Sequence, residues 1–282
     1  MLLFFSIQTL DAQQEFSKDN IQPTLFGVPR KPVVATALVL HSAYTFYIEY
    51  QWWWKGEYKP FAIQSEGFLN DYSLGIDKFG HFYTPYAIFS GVYQIMTWGG
   101  FDESTVLWTS ISIPAFHALT VEIGDGFTRY QFAPDDLLFN ALGISYGVLQ
   151  LHYPVLQNFV FKWSYFPTTH LEKKFNLTND YDGHIYWLAL NVHNLLPKDY
   201  KNLWPKYLNL AVGYGAKNAS VGSSEPIVRK FAIGLDYNLL SLPITGETWD
   251  VAKNIFDKFH YPAPGIRFIE NQPAEAKLFL LN

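Results

Sequence analysis

The stretch I-D-K-F-G-H-F-Y-T-P-Y, residues 76–86, decides how this chain is read. It opens a segment with no Asp, Glu, Lys or Arg between Lys78 and Asp102. Asp77 and His81 are four apart and share one face of a helix, with Lys78 turned to the side. A carboxylate, an ammonium and an imidazole at the entrance of so apolar a helix are costly to bury unless they are paired. The stretch therefore predicts a long apolar helix and a buried polar site at its start.

Working outward, three more segments have the same character. Residues 33–54 read as a helix, apolar nearly all round and ending in Trp52–Trp54. The 76–86 stretch belongs to a helix from about Leu74 to Trp98, stopped by Gly99-Gly100. A third covers about 104–122 with Pro114 as a kink. A fourth starts at A-P-D-D, where Pro134, Asp135 and Asp136 suit a first turn, and runs to about Pro154. Gly143 and Gly147 form a small-x-x-x-small pair that permits close helix contact. The second, third and fourth have uncharged runs of membrane-spanning length, although polar side chains and glycines interrupt the last two.

Beyond residue 165 the pattern changes. Residues 207–214 and 229–240 alternate as antiparallel strands around a Gly/Ser-rich loop, 247–259 reads as a helix, and Y-P-A-P-G-I-R-F-I-E as another strand. Two or three strands are too few to close a membrane barrel. The expected fold class is mainly α: a bundle of about four apolar helices over 33–160, then a small C-terminal antiparallel β region over 161–282. Residues 1–12 read as the remnant of an export signal ending at Ala12, and 13–32 as a polar lead-in.

Composition narrows the function classes. Charged residues are 16 % and aromatics 18 %, with 20 basic against 25 acidic side chains. A soluble domain carries nearer a quarter charged residues, so the chain leans toward a membrane or an unusually large apolar core. Nothing provides a footprint for nucleic acid. There is no cysteine, which excludes disulfides, thiolate metal sites, a cysteine nucleophile and a lipid-modified N-terminal cysteine. The P-loop, G-x-G-x-x-G and G-x-S-x-G motifs are also absent.

Chemistry concentrates in three places: Asp77, Lys78 and His81; His117, Glu122 and Asp125; and Asp135, Asp136 and Asn140. His81, Glu122 and Asp136 form a nitrogen-and-oxygen set fit for zinc, manganese or iron. His81, Glu122 and Asp125 offer a carboxylate base beside an imidazole. The set lacks H-E-x-x-H and any paired-histidine spacing, so no particular cofactor follows from it. The competing reading makes the aspartates helix N-caps, pairs Lys78 with Glu122, and leaves Asp77, Lys78 and Asn140 in a purely structural network. His41 and Glu49 are assigned to packing. His184, beside Asp180 and Asp182, suits either a turn with a carbohydrate-like or interfacial surface or a plain Asx-turn at Asp182-Gly183.

The motifs D-K-F-G-H-F (77–82), E-I-G-D-G (122–126) and D-D-L-L-F-N-A-L-G (135–143) resemble the YfiM-like predicted periplasmic lipoprotein family, which has no established activity. The likeness continues through S-Y-F-P-T-T-H, Y-D-G-H-I-Y-W-L, L-N-L-A-V-G-Y-G and Y-P-A-P-G, in a form similar to that of Bacteroidetes-type bacteria. The D-K-x-x-H, glutamate, D-x-x-x-N-x-x-G order is distantly similar to VanZ-like membrane proteins. The resemblance implies a cell-envelope protein, periplasmic or membrane-associated, with membrane lipid or another envelope component as partner. It maps the family pattern onto Asp77, Lys78, His81, Glu122, Asp125, Gly126, Asp136, Asn140 and Gly143. The family's anchoring cysteine has no counterpart here. Three functions stay open: a structural or assembly role at a membrane, metal-assisted hydrolysis of an envelope lipid or glycan, and a soluble periplasmic ligand- or protein-binding module.

Overall fold

The computed structural model describes residues 23–65, 67–68, 71–168, 177–220 and 223–281, so the expected export signal lies outside the described residues. The described chain opens with a small hairpin, β1 (Thr24–Leu25) and β2 (Val28–Pro29), turned by Phe26 and Gly27 at positive φ. The four long helices predicted from the apolar runs are present. They are α1 (Arg30–Glu49), continued by a π-helical turn at Tyr50–Trp54, then α2 (Ile76–Trp98), α3 (Glu103–Gly126) and α4 (Pro134–His152). Asp102 caps α3 by accepting from the Thr105 N–H at 2.9 Å. Pro134 at the start of α4 needs no N–H there. Pro114 sits inside α3 without ending it.

The C-terminal half is larger in β structure than expected. A six-stranded antiparallel sheet runs in sequence order: β3 (Phe159–Tyr165), β4 (His184–Leu190), β5 (Leu208–Lys217), β6 (Val228–Tyr237), β7 (Ala263–Ile269) and β8 (Glu275–Leu280). Two short helices interrupt it, α5 (Val192–Leu195) and α6 (Glu247–Phe256). Leu280 of β8 joins Trp187, Ala189, Ala211 and Ala232 in one buried cluster, so one core runs along the inner face of the sheet from β4 to β8. Residues 258–260 run along the β3 edge, with Trp163 N–H donating to the Lys258 carbonyl and His260 N–H to the Trp163 carbonyl.

The fold is therefore mixed α+β, and the expectation of a mainly α protein built on a four-helix bundle is corrected. The helices do not close on one another. α2 packs against α3 and α4 on one side and against the sheet and α6 on the other. Its aromatic side chains make the join: Phe79 meets Tyr186 and Tyr214, Phe82 meets Phe161, and Tyr83 meets Trp163. At its start, the Tyr214 hydroxyl donates to the Leu74 carbonyl.

Three strands of the sheet, β3, β4 and β8, were not expected, and the first two have a physical explanation. F-V-F-K-W-S-Y and H-I-Y-W-L-A-L face α2 with one row and the sheet interior with the other. Large side chains on both rows obscure the alternation, and the polar residues of β3, Lys162 and Ser164, lie on the inward row. Gly143 and Gly147 do mark close contact. A methyl at 143 would collide with the Phe82 carbonyl, and one at 147 with the Phe89 ring.

Candidate functional site

The sharp turn before α2 sets the site. Asp71 gathers the N–H groups of Ser73 and Gly75, and Gly75 takes φ 86°, so the helix starts abruptly at Ile76. Asp77 and Lys78 thus enter the protein in the first turn. Lys78 is fully buried. Its ammonium lies 3.1 Å from Asp77 Oδ2 and 2.5 Å from Asp136 Oδ1, joining α2 to α4. The expected Lys78–Glu122 pairing is not what the structure shows.

His81, one turn further on, stands among carboxylates from three helices. Its Nε2 lies 3.7 Å from Asp77 Oδ2 and 3.6 Å from Asp136 Oδ2. Its Nδ1 lies 3.7 Å from Glu122 Oε1 and 3.4 Å from Asn140 Oδ1. The imidazole side chain keeps 22 % of its surface exposed, whereas that of Glu122 keeps 2 %. One atom each of Asp77, His81 and Asp136 falls within 4.8 Å of the others. Among the described residues, Glu122 Oε1 and Asn140 Nδ2 have no hydrogen-bond partner.

The electrostatics follow from burial and crowding. Burial pushes the Glu122 carboxyl up to about 8, with nearby His81 opposing the rise. Its Oε2 accepts the Ala133 N–H at 3.2 Å, which ties α3 to the start of α4. Burial raises Asp125 to about 7, against the Trp54 hydrogen bond. For His81 burial opposes protonation, yet Asp77, Asp136 and Glu122 together outweigh it and raise its pKa. Asp77 is held low because His81 and Lys78 overcome its burial.

The structure brings together Asp77, Lys78, His81, Glu122, Asp136 and Asn140. Asp125 is set to one side, its Oδ1 accepting the Trp54 Nε1–H at 2.7 Å. Asp135 turns away and accepts the Gly67 N–H. His117 leaves the cluster and pairs with Glu49 of α1 at 2.5 Å. Two contributors escaped sequence reasoning. Tyr181 donates to Asp77 Oδ1 at 3.0 Å from the far half of the chain, and Trp54 arrives through the π turn after α1. The three-tryptophan run was the available signal for the second.

The polar groups around His184 are engaged by internal hydrogen bonds. Asp182 collects the N–H groups of Asn218, Ala219 and Ser220, while Asp180 accepts from Thr168, Tyr165 and Ser220. His184 Nδ1 accepts the Trp163 indole N–H, and Nε2 faces the Leu177 carbonyl. His170 lies outside the described residues.

Residues 65–152, which contain every member of the cluster except Trp54 and Tyr181, match the model of a family described as predicted periplasmic lipoprotein (DUF2279). The family-level resemblance of the D-K-F-G-H-F, E-I-G-D-G and D-D-L-L-F-N motifs is thereby supported over that segment. An envelope location, periplasmic or membrane-associated, agrees with it. No curated protein and no solved structure matches the chain.

Proposed function

We propose that the α2–α3–α4 cluster binds a divalent cation and serves metal-assisted hydrolysis of an envelope lipid or glycan at a membrane surface. The observation that carries this reading is the spacing around His81. A charge-assisted hydrogen bond closes to about 2.7–2.9 Å, yet His81 Nε2 stands off both carboxylates at 3.6–3.7 Å. Ligand atoms bound at about 2.1 Å around a tetrahedral ion are held apart by roughly 3.4 Å. One nitrogen and two carboxylate oxygens suit zinc, manganese or iron.

A cation there would acidify a bound water. Glu122, with a carboxyl near 8 and so mostly protonated at neutral pH, is suited to give its proton to a leaving group and to regain one from the next water, because an acid–base group works best near the operating pH. His81 would be ligand or acid, and the Asn140 amide a donor to substrate. Asp125, raised and buttressed by Trp54, would position the end of α3.

A second reading is supported by Lys78. Its buried ammonium already neutralises Asp77 and Asp136, which is what a structural network requires. Elemental analysis of purified protein separates the two readings. Stoichiometric zinc, manganese or iron, lost in His81→Ala and retained in Glu122→Gln, supports the cation site. Metal-free protein, with both variants merely less stable, supports the network.

A further inference from the structure

The polarity of the sheet is inverted, and this points to its partner. Apart from Lys217 at the end of β5 and Arg229 near the start of β6, which is partly exposed beside Glu270, the charged and amide side chains of β5 and β6 turn inward. Asn209, Lys230 and Asp236 are each at most 3 % exposed. Inside they are well supplied: Asp236 meets Lys162, His260 and Asn209, and Lys230 donates to the Asp182 carbonyl. The outward rows are apolar. Val212, Ile233 and Ile266 lie side by side in register, and beside them Tyr214, Phe231 and Phe268. Val212, Ile233, Ile266, Phe231 and Phe268 are each 40–48 % exposed. A strand in water places these two sets the other way round; apolar-out with polar-in is the pattern of strands that face hydrocarbon.

We infer that the outer face of β5–β7 lies against lipid acyl chains. An open, mainly apolar trough of about 440 Å³ crosses it, lined by Leu210, Leu235, Pro264 and Leu278 among others, with Lys277 of β8 at its edge. Between Arg229 and Tyr237, near the two ends of β6, the apolar rows offer a partner almost no hydrogen bond, since the Tyr214 hydroxyl is taken by the Leu74 carbonyl. A protein partner would ordinarily expect about one hydrogen bond per 100–200 Å², whereas hydrocarbon expects none. From Phe231 to Tyr237 the band rises roughly 20 Å, a depth that fits within a hydrocarbon layer of about 30 Å. The sheet thus adds a lipid-facing wall to the apolar helix surfaces. This inference rests on the membrane setting of the proposed function and is independent of the cation site.

The absence of cysteine makes the test clean. Single variants Ile233→Cys and Val212→Cys report on the sheet face, Leu119→Cys on α3 and Asp199→Cys on an exposed 3-10 helical turn. Each full-length protein is labelled with the environment-sensitive fluorophore NBD and reconstituted into phosphatidylethanolamine–phosphatidylglycerol vesicles. The expected result is a blue-shifted, several-fold brighter signal at 233, quenched by nitroxide-bearing acyl chains, with neither effect at 199. A water-like signal at both 233 and 212 overturns the inference. So does a blue shift that nitroxide lipids fail to quench, which would mean a second copy covers the face. Quenching at 119 without quenching at 233 would sink the sheet proposal alone, whereas loss at both would also remove the membrane setting. Val212→Cys, across the strand pair from 233, replaces the reporter if Ile233→Cys does not fold.

Discussion

Two buried charges show what single residues contribute. Lys78 has no exposed surface and holds two carboxylates. Lys78→Met keeps the length of the side chain but leaves Asp77 and Asp136 facing each other. Breaking a buried pair from one side typically costs about 3–5 kcal/mol, so a fall of that size in urea-unfolding stability is expected. Asp236 gives a pH signature. Burial raises its carboxyl, but the His260 bond and the Lys162 ammonium outweigh that and hold it below the ordinary range. The native state therefore binds this proton less readily than the unfolded chain. Its stabilisation is present above the ordinary carboxylate range and is lost as pH falls through the lower native value. Asp236→Asn should be less stable at pH 7 and show a shallower loss of stability on acidification, measured as urea midpoints against pH. Most of the α2–α3–α4 cluster was legible because each member breaks an apolar run. Tyr181 was not legible, because a tyrosine in aromatic surroundings carries no local sign of the carboxylate it will meet, and the three-tryptophan run drew attention to Trp54 without indicating its partner.

Among elements, α2 is the hinge of the fold, and its glycines and neighbours divide sharply. Gly143 lets α4 approach the α2 backbone so closely that a methyl would strike the Phe82 carbonyl. Gly143→Ala must push the two helices apart, and overpacking of this kind costs about 1–3 kcal/mol. Gly91, on α2 itself, has nothing within 4 Å of the position a methyl would take. Gly91→Ala should instead stabilise by up to about 1 kcal/mol through helix propensity. Opposite shifts in melting temperature are the expected outcome, and equal shifts would contradict the packing described. The helices could be read from sequence because their apolar runs exceed any strand and end at Gly or Pro. β5 and β6 could be read because buried small or charged residues alternate with larger apolar ones. β3 and β4 could not, since burial on both faces erases the alternation, and the register that assembles six strands is a long-range fact.

For the whole molecule, the question is what kind of force holds it in the envelope. Its formal net charge is −5, which gives no attraction to an anionic lipid surface. Its exposed surface is rich in large apolar side chains on α1, α3, α4 and the sheet, including Leu40, Phe116, Leu138 and Ile233. Among the described residues α3 alone is long and apolar enough to cross a membrane, with a third of its most apolar window buried in the protein. Contiguous apolar exposure of this kind marks an interaction surface. Attachment through it should respond to solvent in the opposite sense from attachment through charge. At high ionic strength the screening length contracts to a few ångströms, and a charge-held protein leaves the membrane. Excluded salts such as sulfate strengthen apolar burial. Membranes from expressing cells, washed with concentrated ammonium sulfate or sodium chloride, should retain the protein, and only detergent should release it. Recovery in the soluble fraction after either wash would show that the apolar faces are covered by something other than lipid, and the membrane part of the proposed function would fall with it.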